Sequence, residues 1–300
     1  MSDASAGGTA AAPSKLRGFG VRFLVGAWLV LVVAATLVWF RWGFIALLAA
    51  FVALGAHELG HAASLKGWRS QWGIVAVGGA ALVLIEYGVM HPYLPNTSPV
   101  VLTLPWYLSP VALGLIGCAL IVMAAWGWRL RRPVDGFLAD AATSALMVAY
   151  LPMTASFAVA MVLSDQPVAR IATFIACIAL NDSGAYIMGS WLGRHKMAPH
   201  ISPAKTWEGF AGGVVWAGVA GALLVRFALP GTWWQGAILG VVLGCWGTLG
   251  DLVESAIKRD VGVKDMGKLL PGHGGAMDRL DSLLFCAPVA WAMLTWWILA

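Results

Sequence analysis

The residues best suited to chemistry lie in the last third of the chain. Four polar side chains recur at spacings of i, i+3, i+4 and i+7 and would share one face of a helix: Asp251, Glu254, Ser255 and Lys258. Carboxylates inside an apolar helix are costly and usually face a cavity or a partner. An ion pair between Glu254 and Lys258 that closes the helix end is the alternative interpretation of this face.

The segment from Asp260 to Asp281 combines glycines, basic residues and carboxylates. Its glycines let backbone N–H groups converge on an anion. Asp278 and Asp281 are three residues apart, so they can lie on one face of the next helix. Separated carboxylate pairs with a basic, glycine-rich loop between them suit a polyphosphate that carries Mg²⁺, because carboxylates bind the hard cation while bases and N–H groups bind phosphate oxygens. The predicted metal ligands are Asp251, Asp278 and Asp281.

Two upstream segments add polar groups to this region. Asn181 and Asp182 interrupt an apolar helix, which is expensive unless they line a polar site. Ser202, Lys205 and Thr206 stand just before another apolar segment, where a turn and a helix N-terminus are expected. Helix capping alone is the alternative for this segment. Because Lys205 is predicted on the same side of the membrane as the late loop, it is a candidate phosphate ligand.

A further motif occurs near the N-terminus, where His57-Glu58-Leu59-Gly60-His61 spells H-E-x-x-H. Two histidines at i and i+4 on a helix can bind Zn²⁺, with the glutamate as general base. An intramembrane zinc metalloprotease is therefore an alternative function. A zinc site of this type needs a third protein ligand, and Asn181-Asp182 is a poor substitute for one. A transporter with Asp182, Glu58 and Glu86 along an ion path is a third class.

The composition sets the environment in which these groups must work. Of the 300 residues, 60% are hydrophobic and 11% are charged, and the mean hydropathy is +0.80. Soluble domains carry about 25% charged residues, so a cytosolic enzyme is excluded, as are a disordered chain and a disulfide-stapled secreted domain. The predicted fold is all-α, a polytopic bundle of transmembrane helices. Nucleic-acid binding is not expected because there is no long run of lysine and arginine.

About nine segments are long and apolar enough to cross a bilayer. They are residues 21–40, 43–65, 72–90, 104–128, 136–163, 168–192, 207–229, 234–257 and 282–299. Alternation along the chain puts 16 of the 19 lysines and arginines on the side of the N-terminus. The positive-inside rule then places the N-terminus inside and the C-terminus outside.

Three regions follow from this pattern. Residues 1–20 are predicted to form a disordered cytoplasmic tail, because residues 1–14 are rich in serine, alanine, glycine and threonine without an apolar period. Residues 21–165 are predicted to hold the N-terminal spans. Residues 166–300 are predicted to form the C-terminal, catalytic membrane region.

The late motifs resemble a known family. Ser255-Ala-Ile-Lys258-Arg259, Lys264-Asp265, Leu270-Pro271-Gly272-His273-Gly274-Gly275 and Asp278-Arg279-Leu280-Asp281 are similar to the signature of phosphatidate cytidylyltransferases, the CDP-diacylglycerol synthases. Asn181-Asp182 with Ala185-Tyr186, and Ser202-Pro203 with Lys205 to Gly209, resemble the upstream segments of that family in the same order. The resemblance covers about residues 175–285. Ala276 stands where the family favours a larger apolar residue, and His57 and His61 lie outside its pattern.

The resemblance implies that CTP and phosphatidate are converted into CDP-diacylglycerol and pyrophosphate with Mg²⁺. It also implies a homodimer, a monovalent cation such as K⁺ and a bacterial inner-membrane location with the active site facing the cytoplasm. The expected catalytic residues are Asp251, Ser255, Lys258, Arg259, Asp278 and Asp281. The expected substrate-binding residues are Asn181, Asp182, Ser202, Lys205, Thr206, Lys264, His273, Gly274, Gly275 and Arg279.

Overall fold

The computed structural model describes residues 31–93, 109–267 and 275–298, together with Trp28. Within them, eight helical units are long and apolar enough to cross a membrane. The units are α1 (Arg41–Leu65), α2 (Trp72–Met90), α3 (Pro110–Arg129), α4 (Phe137–Tyr150) with α5 (Pro152–Val162), α6 (Pro167–Leu192), α7 (Trp207–Ala228), α8 (Trp233–Val261) and α9 (Met277–Met293), which continues as a π-helical turn, Leu294–Ile298.

The all-α, polytopic fold is confirmed, and the eight units correspond to the last eight predicted spans. Of the first predicted span, the structure describes Trp28 and residues 31–40, and residues 31–39 are helical. The predicted tail, residues 1–20, lies outside the described residues. The orientation of the termini and the division at residue 165 stay predictions.

The unit formed by α4 and α5 is the most buried of the eight, with 72% of its apolar window inside the bundle. The unit breaks at Leu151 (φ −104°, ψ −81°), immediately before Pro152. Proline lacks an N–H and its ring disfavours helical geometry at the preceding residue, so a kink is expected here. At the break, the Tyr150 hydroxyl donates to the Asp281 carbonyl oxygen over 3.3 Å, which ties this central unit to α9.

Glycines let α7 and α8 approach until their backbones touch. A Cβ added at Gly221 would overlap the backbone of Gly236, and one added at Gly240 would overlap that of Ala217. Small residues permit such close helix packing in membranes. The same approach seats Gly213 of α7 and Gly244 of α8 against Asn181 of α6. The three helices therefore converge where the sequence places its polar groups.

A short hairpin connects α6 to α7, where the sequence analysis predicts only a turn. Strand β1 (Lys196–Ala198) pairs antiparallel with β2 (Ser202–Thr206), with Lys196 opposite Thr206 and Ala198 opposite Ser202. Thr206 ends β2 and caps α7 by accepting a hydrogen bond from the Gly209 N–H (3.2 Å). This cap fixes where the hairpin meets the bundle.

Candidate active site

A cavity of about 540 Å³ opens between the hairpin and helices α6 to α9. Its lining brings together eight of the predicted site residues, which come from four separate stretches of the chain. They are Asn181, Asp182, Ser202, Lys205, Thr206, Asp251, Asp278 and Asp281. Residues that lie up to 100 positions apart in the sequence therefore face one volume, whose size suits a small ligand.

Three carboxylates form the acidic centre of this site. Asp251, Glu254 and Asp281 each offer an oxygen that lies within 4.8 Å of the others, a spacing that one metal ion could bridge. Glu254 is fully buried, and its Oε1 meets no hydrogen-bond donor among the residues that the structure describes. Three crowded negative charges need positive charge beside them, since like charges at this distance disfavour the ionised forms.

Two lysines supply part of that positive charge. Lys205 Nζ, carried by the hairpin, lies 2.6 Å from Asp251 Oδ2. Lys258 forms an ion pair with Glu254, one turn earlier on α8, and lies 2.9 Å from Asp278 Oδ1 on α9. The Glu254–Lys258 pair that the sequence analysis offers as an alternative is therefore present. Because Lys258 also binds Asp278, the pair links α8 to α9 as well as closing a helix end.

Asp278 is engaged differently from the other acids. Besides Lys258, its carboxylate accepts hydrogen bonds through Oδ2 from the N–H groups of Met266 (3.1 Å) and Gly275 (2.8 Å). It lines the cavity but is not a member of the three-carboxylate group. Its role as a metal ligand stays a prediction.

Among the other predicted residues, some bind the acids of the site and others lie outside the cavity. Ser255 Oγ donates to Asp251 Oδ1 (3.2 Å), and Asn181 Nδ2 contacts Asp182 Oδ1 and Thr248 Oγ1, both at 3.4 Å. Three of the predicted residues are exposed and outside the cavity lining; they are Arg259, Lys264 and Arg279. Arg259 donates to the Ile201 carbonyl oxygen (3.3 Å) in the hairpin turn. Gly275 is buried, while His273 and Gly274 lie outside the described residues.

Glu254 is not among the metal ligands predicted from the sequence, and Thr248 is not among the predicted site residues. The spacing of Glu254 from Asp251 was a usable signal, because i and i+3 share a helix face. Spacing within α8 could not show that Asp281 of α9 would meet the same face.

The H-E-x-x-H motif of α1 does not form a zinc site in this structure. His57 and His61 are exposed, with parallel rings 6.5 Å apart, and they line a separate cavity that also contains Arg69 and Arg132. Glu58 is buried and turns away, accepting hydrogen bonds from the N–H groups of Ala276 and Met277. Among the described residues, no third histidine, cysteine or carboxylate joins the two imidazoles in a metal-binding group. The protease hypothesis is not supported, and a Glu58 bound in this way is equally unsuited to the ion path of a transporter.

Comparison with known proteins shows the family of this chain. The model of the cytidylyltransferase family matches residues 20–297, nearly the whole chain. The chain belongs to the cytidylyltransferase family. Family membership confirms the resemblance drawn from the late motifs, and the match also extends over the N-terminal spans, where the sequence offers only hydrophobicity. This cytidylyltransferase is an integral membrane protein, since the described part of the chain contains eight apolar helical units of membrane length.

Several curated bacterial relatives carry the name phosphatidate cytidylyltransferase. A Mycobacterium bovis protein is 36% identical over 239 residues, which are 74% of this chain and 77% of the relative. A Mycobacterium leprae protein is 47% identical over 163 residues, 54% of this chain and 52% of that protein. A Bacillus subtilis protein is 48% identical over 124 residues, 40% of this chain and 46% of the relative. The aligned part is thus about half of the M. leprae and B. subtilis proteins.

Proposed function

We propose that this protein transfers the cytidylyl group of CTP to phosphatidate, giving CDP-diacylglycerol and pyrophosphate. The names of its relatives support this substrate pair. The single observation that carries the proposal is a cavity lined by Asp251, Asp281 and Lys205, with the buried Glu254 carboxylate within reach of both aspartates. Such a site can hold a triphosphate and its cation together, which is what phosphoryl-type transfer requires of a protein.

In the proposed reaction, an oxygen of the phosphatidate phosphate attacks the α-phosphorus of CTP. The bond from that phosphorus to the oxygen bridging the α and β phosphates breaks, and pyrophosphate leaves with the electron pair. The attacking phosphate is already ionised, so the protein needs no general base. The tasks left to it are to position the two anions and to offset their mutual repulsion.

The donor set fits a hard divalent cation. Mg²⁺ prefers carboxylate oxygens, and the buried Glu254 Oε1 meets no donor among the described residues. Asp251, Glu254 and Asp281 would hold the ion, which would supply positive charge at the triphosphate. Mg²⁺ dependence is therefore part of the proposal. A second, monovalent cation such as K⁺ and a homodimeric state stay predictions of the family resemblance.

Lys205 is the cation best placed to meet the nucleotide. Its Nζ pairs with Asp251 at the cavity, and 22% of its side chain is exposed there. With its carboxylate holding the cation, Asp251 would no longer bind the Lys205 ammonium, and Lys205 would then be free to bind phosphate oxygens. Lys258 is more buried and is already held by two carboxylates, so it serves to keep α8 and α9 together.

The active site is proposed to open to the cytoplasm, where CTP is found, in a bacterial inner membrane. The excess of lysine and arginine on the side of the N-terminus supports this orientation. Phosphatidate would then enter from the inner leaflet, beside the mouth of the cavity.

The direct test uses purified protein, CTP labelled in the cytidine and phosphatidate vesicles, with and without Mg²⁺. We expect a labelled lipid that forms only when both substrates and Mg²⁺ are present, with release of one pyrophosphate per product. Folded protein that produces no labelled lipid under these conditions would contradict the proposal. Equal rates with Mg²⁺ and in excess chelator would contradict the proposed Mg²⁺ dependence but not the proposed transfer reaction.

Replacing Lys205 by Gln should weaken nucleotide binding more than it slows chemistry. Since Lys205 would meet phosphate oxygens in both the bound and the transition state, its loss should raise the KM for CTP by about tenfold. The KM for phosphatidate should change little. Steady-state rates over a range of each substrate separate the two effects, and an unchanged KM for CTP would count against this assignment.

Replacing His57 by Ala distinguishes the proposed transferase from a zinc protease. His57 is exposed on a different side of α1 from the buried Glu58 and lines a separate cavity, so the variant should keep most cytidylyl transfer. A zinc enzyme would lose all activity without this histidine. Transfer rates and the zinc content of both purified proteins provide the measurement.

A further inference from the structure

The Glu58 carboxylate lies against the first turn of α9, more than 200 residues later in the chain. Its Oε1 accepts a hydrogen bond from the Ala276 N–H (3.0 Å) and its Oε2 accepts one from the Met277 N–H (2.9 Å). Glu58 is buried, with 7% of the residue exposed. Both carboxylate oxygens are therefore committed to the backbone of one helix end.

The start of α9 cannot provide this interaction from its own sequence. The first N–H groups of a helix have no partner within it and are usually satisfied by a Ser, Thr, Asp or Asn side chain at the N-cap. Here Ala276 occupies the N-cap and offers no side-chain acceptor. Glu58 supplies the missing acceptors from another helix, and its negative charge also suits the positive end of the α9 dipole.

Two glycines make room for the carboxylate. A Cβ added at Gly267 or at Gly275 would overlap Glu58, and the three nearest atoms at each position all belong to the Glu58 side chain. The backbone on both sides of residues 268–274 therefore packs directly on this carboxylate. Any larger residue at either position would push Glu58 away from α9.

The N-terminal end of α9 carries two of the acids described above. Asp278 follows Met277 directly and binds Lys258, whereas Asp281 lies one turn from Met277 and belongs to the three-carboxylate group. A shift of this end would move Asp281 relative to Asp251 and Glu254 on α8. The only described acceptors for the Ala276 and Met277 N–H groups are the two Glu58 oxygens.

We infer that Glu58 is a positioning residue for the proposed cytidylyl transfer: it caps α9 from α1 and thereby holds Asp281 in register with Asp251 and Glu254. This inference rests on the proposed function. Glu58 does not act as a metal ligand or a general base, because both of its oxygens accept backbone hydrogen bonds and neither belongs to the metal-binding group. The glutamate of H-E-x-x-H thus serves the site through α9, without the histidines on either side.

The kinetic test compares Glu58→Ala and Glu58→Gln in the full-length protein. Displacing a catalytic group by about 1 Å can cost about 100-fold in rate, so we expect Glu58→Ala to lower kcat by about 100-fold and to raise the Mg²⁺ concentration that gives half-maximal rate. The KM for each substrate should stay within about threefold. Glu58→Gln keeps one acceptor oxygen and should fall between Ala and the wild type. His61→Ala, on the same helix but exposed, is the matched control and should behave as wild type.

A second measurement reports the cap itself and does not depend on catalysis. Amide hydrogen exchange in a peptide covering residues 275–281 should be faster in Glu58→Ala than in the wild type, and unchanged in His61→Ala. If the wild type lacked transfer activity, the proposed function would fail, while the exchange data would still test the cap. Unchanged exchange at these amides would overturn the inference.

A double-mutant cycle separates positioning from general loss of folding. Gly267→Ala should lower kcat and the Tm in the wild type, because its Cβ would overlap Glu58. In the Glu58→Ala background, Gly267→Ala should lower kcat and the Tm much less, so the effects of the two substitutions are not additive. Equal decreases in kcat and Tm in both backgrounds would refute the positioning role of Glu58. A Glu58→Ala enzyme with wild-type kcat and Mg²⁺ dependence would refute it as well. Should Glu58→Ala fail to fold, the Gln variant and Gly267→Ala alone still decide the question.

Discussion

The Asp251→Asn variant is expected to lose nearly all cytidylyl transfer while it still inserts and folds. Asparagine has the size of aspartate: its amide oxygen can accept a hydrogen bond from Lys205, and its Nδ2 can donate to the Ser255 hydroxyl, which replaces the two contacts that the structure shows for Asp251. It lacks the negative charge that the proposed cation needs. Because the loss falls on electrostatic stabilisation in the transition state, we expect a decrease in kcat of about 1000-fold.

Labelled CTP and phosphatidate, at saturating Mg²⁺, measure this effect. Asp260→Asn is the matched control, because Asp260 stands on the same helix and forms an exposed ion pair with Lys66 (2.7 Å). Exposed pairs of this kind contribute about 0–1 kcal/mol, so the control should keep near-normal activity and stability. Near-normal transfer by Asp251→Asn would contradict the proposal that Asp251 is a metal ligand.

Replacing Lys258 by Met is expected to be the most destabilising change at the site. Lys258 is the described partner of Glu254, whose side chain is fully buried, and it also binds Asp278. Removing one member of a buried ion pair leaves an uncompensated charge and costs about 3–5 kcal/mol. We expect a lower Tm in detergent, together with loss of activity, because α8 and α9 lose their link beside the acidic group.

A compensating change tests the reason for that loss. The double variant Lys258→Met with Glu254→Gln removes the buried negative charge as well, so it should recover much of the Tm that the single variant loses. It should stay inactive, because Glu254 is one of the proposed ligands. A double variant no more stable than Lys258→Met would show that the charge of Glu254 is not the source of the cost.

The sequence by itself determined the fold class, the positions of the described spans and the part of the chain that supplies most of the candidate site. Crossing a bilayer requires about 20 apolar residues and internally satisfied backbone groups, so hydrophobicity alone predicts the eight described spans, although not the division of one of them into α4 and α5. Helical spacing is also local. It correctly placed Asp251, Glu254 and Lys258 on one face of α8.

Only the tertiary structure decided what each of those faces meets. The periodicity of a helix says which residues share a side but not which helix packs there, because that choice depends on contacts between segments far apart in the chain. For this reason Glu254, predicted as an ion-pair partner, also faces Asp281, and Asp278 binds Lys258 and backbone N–H groups. In the H-E-x-x-H motif the two histidines share the exposed face of α1. Glu58, about 100° further around that helix, reaches the N-terminus of α9, which no local pattern encodes.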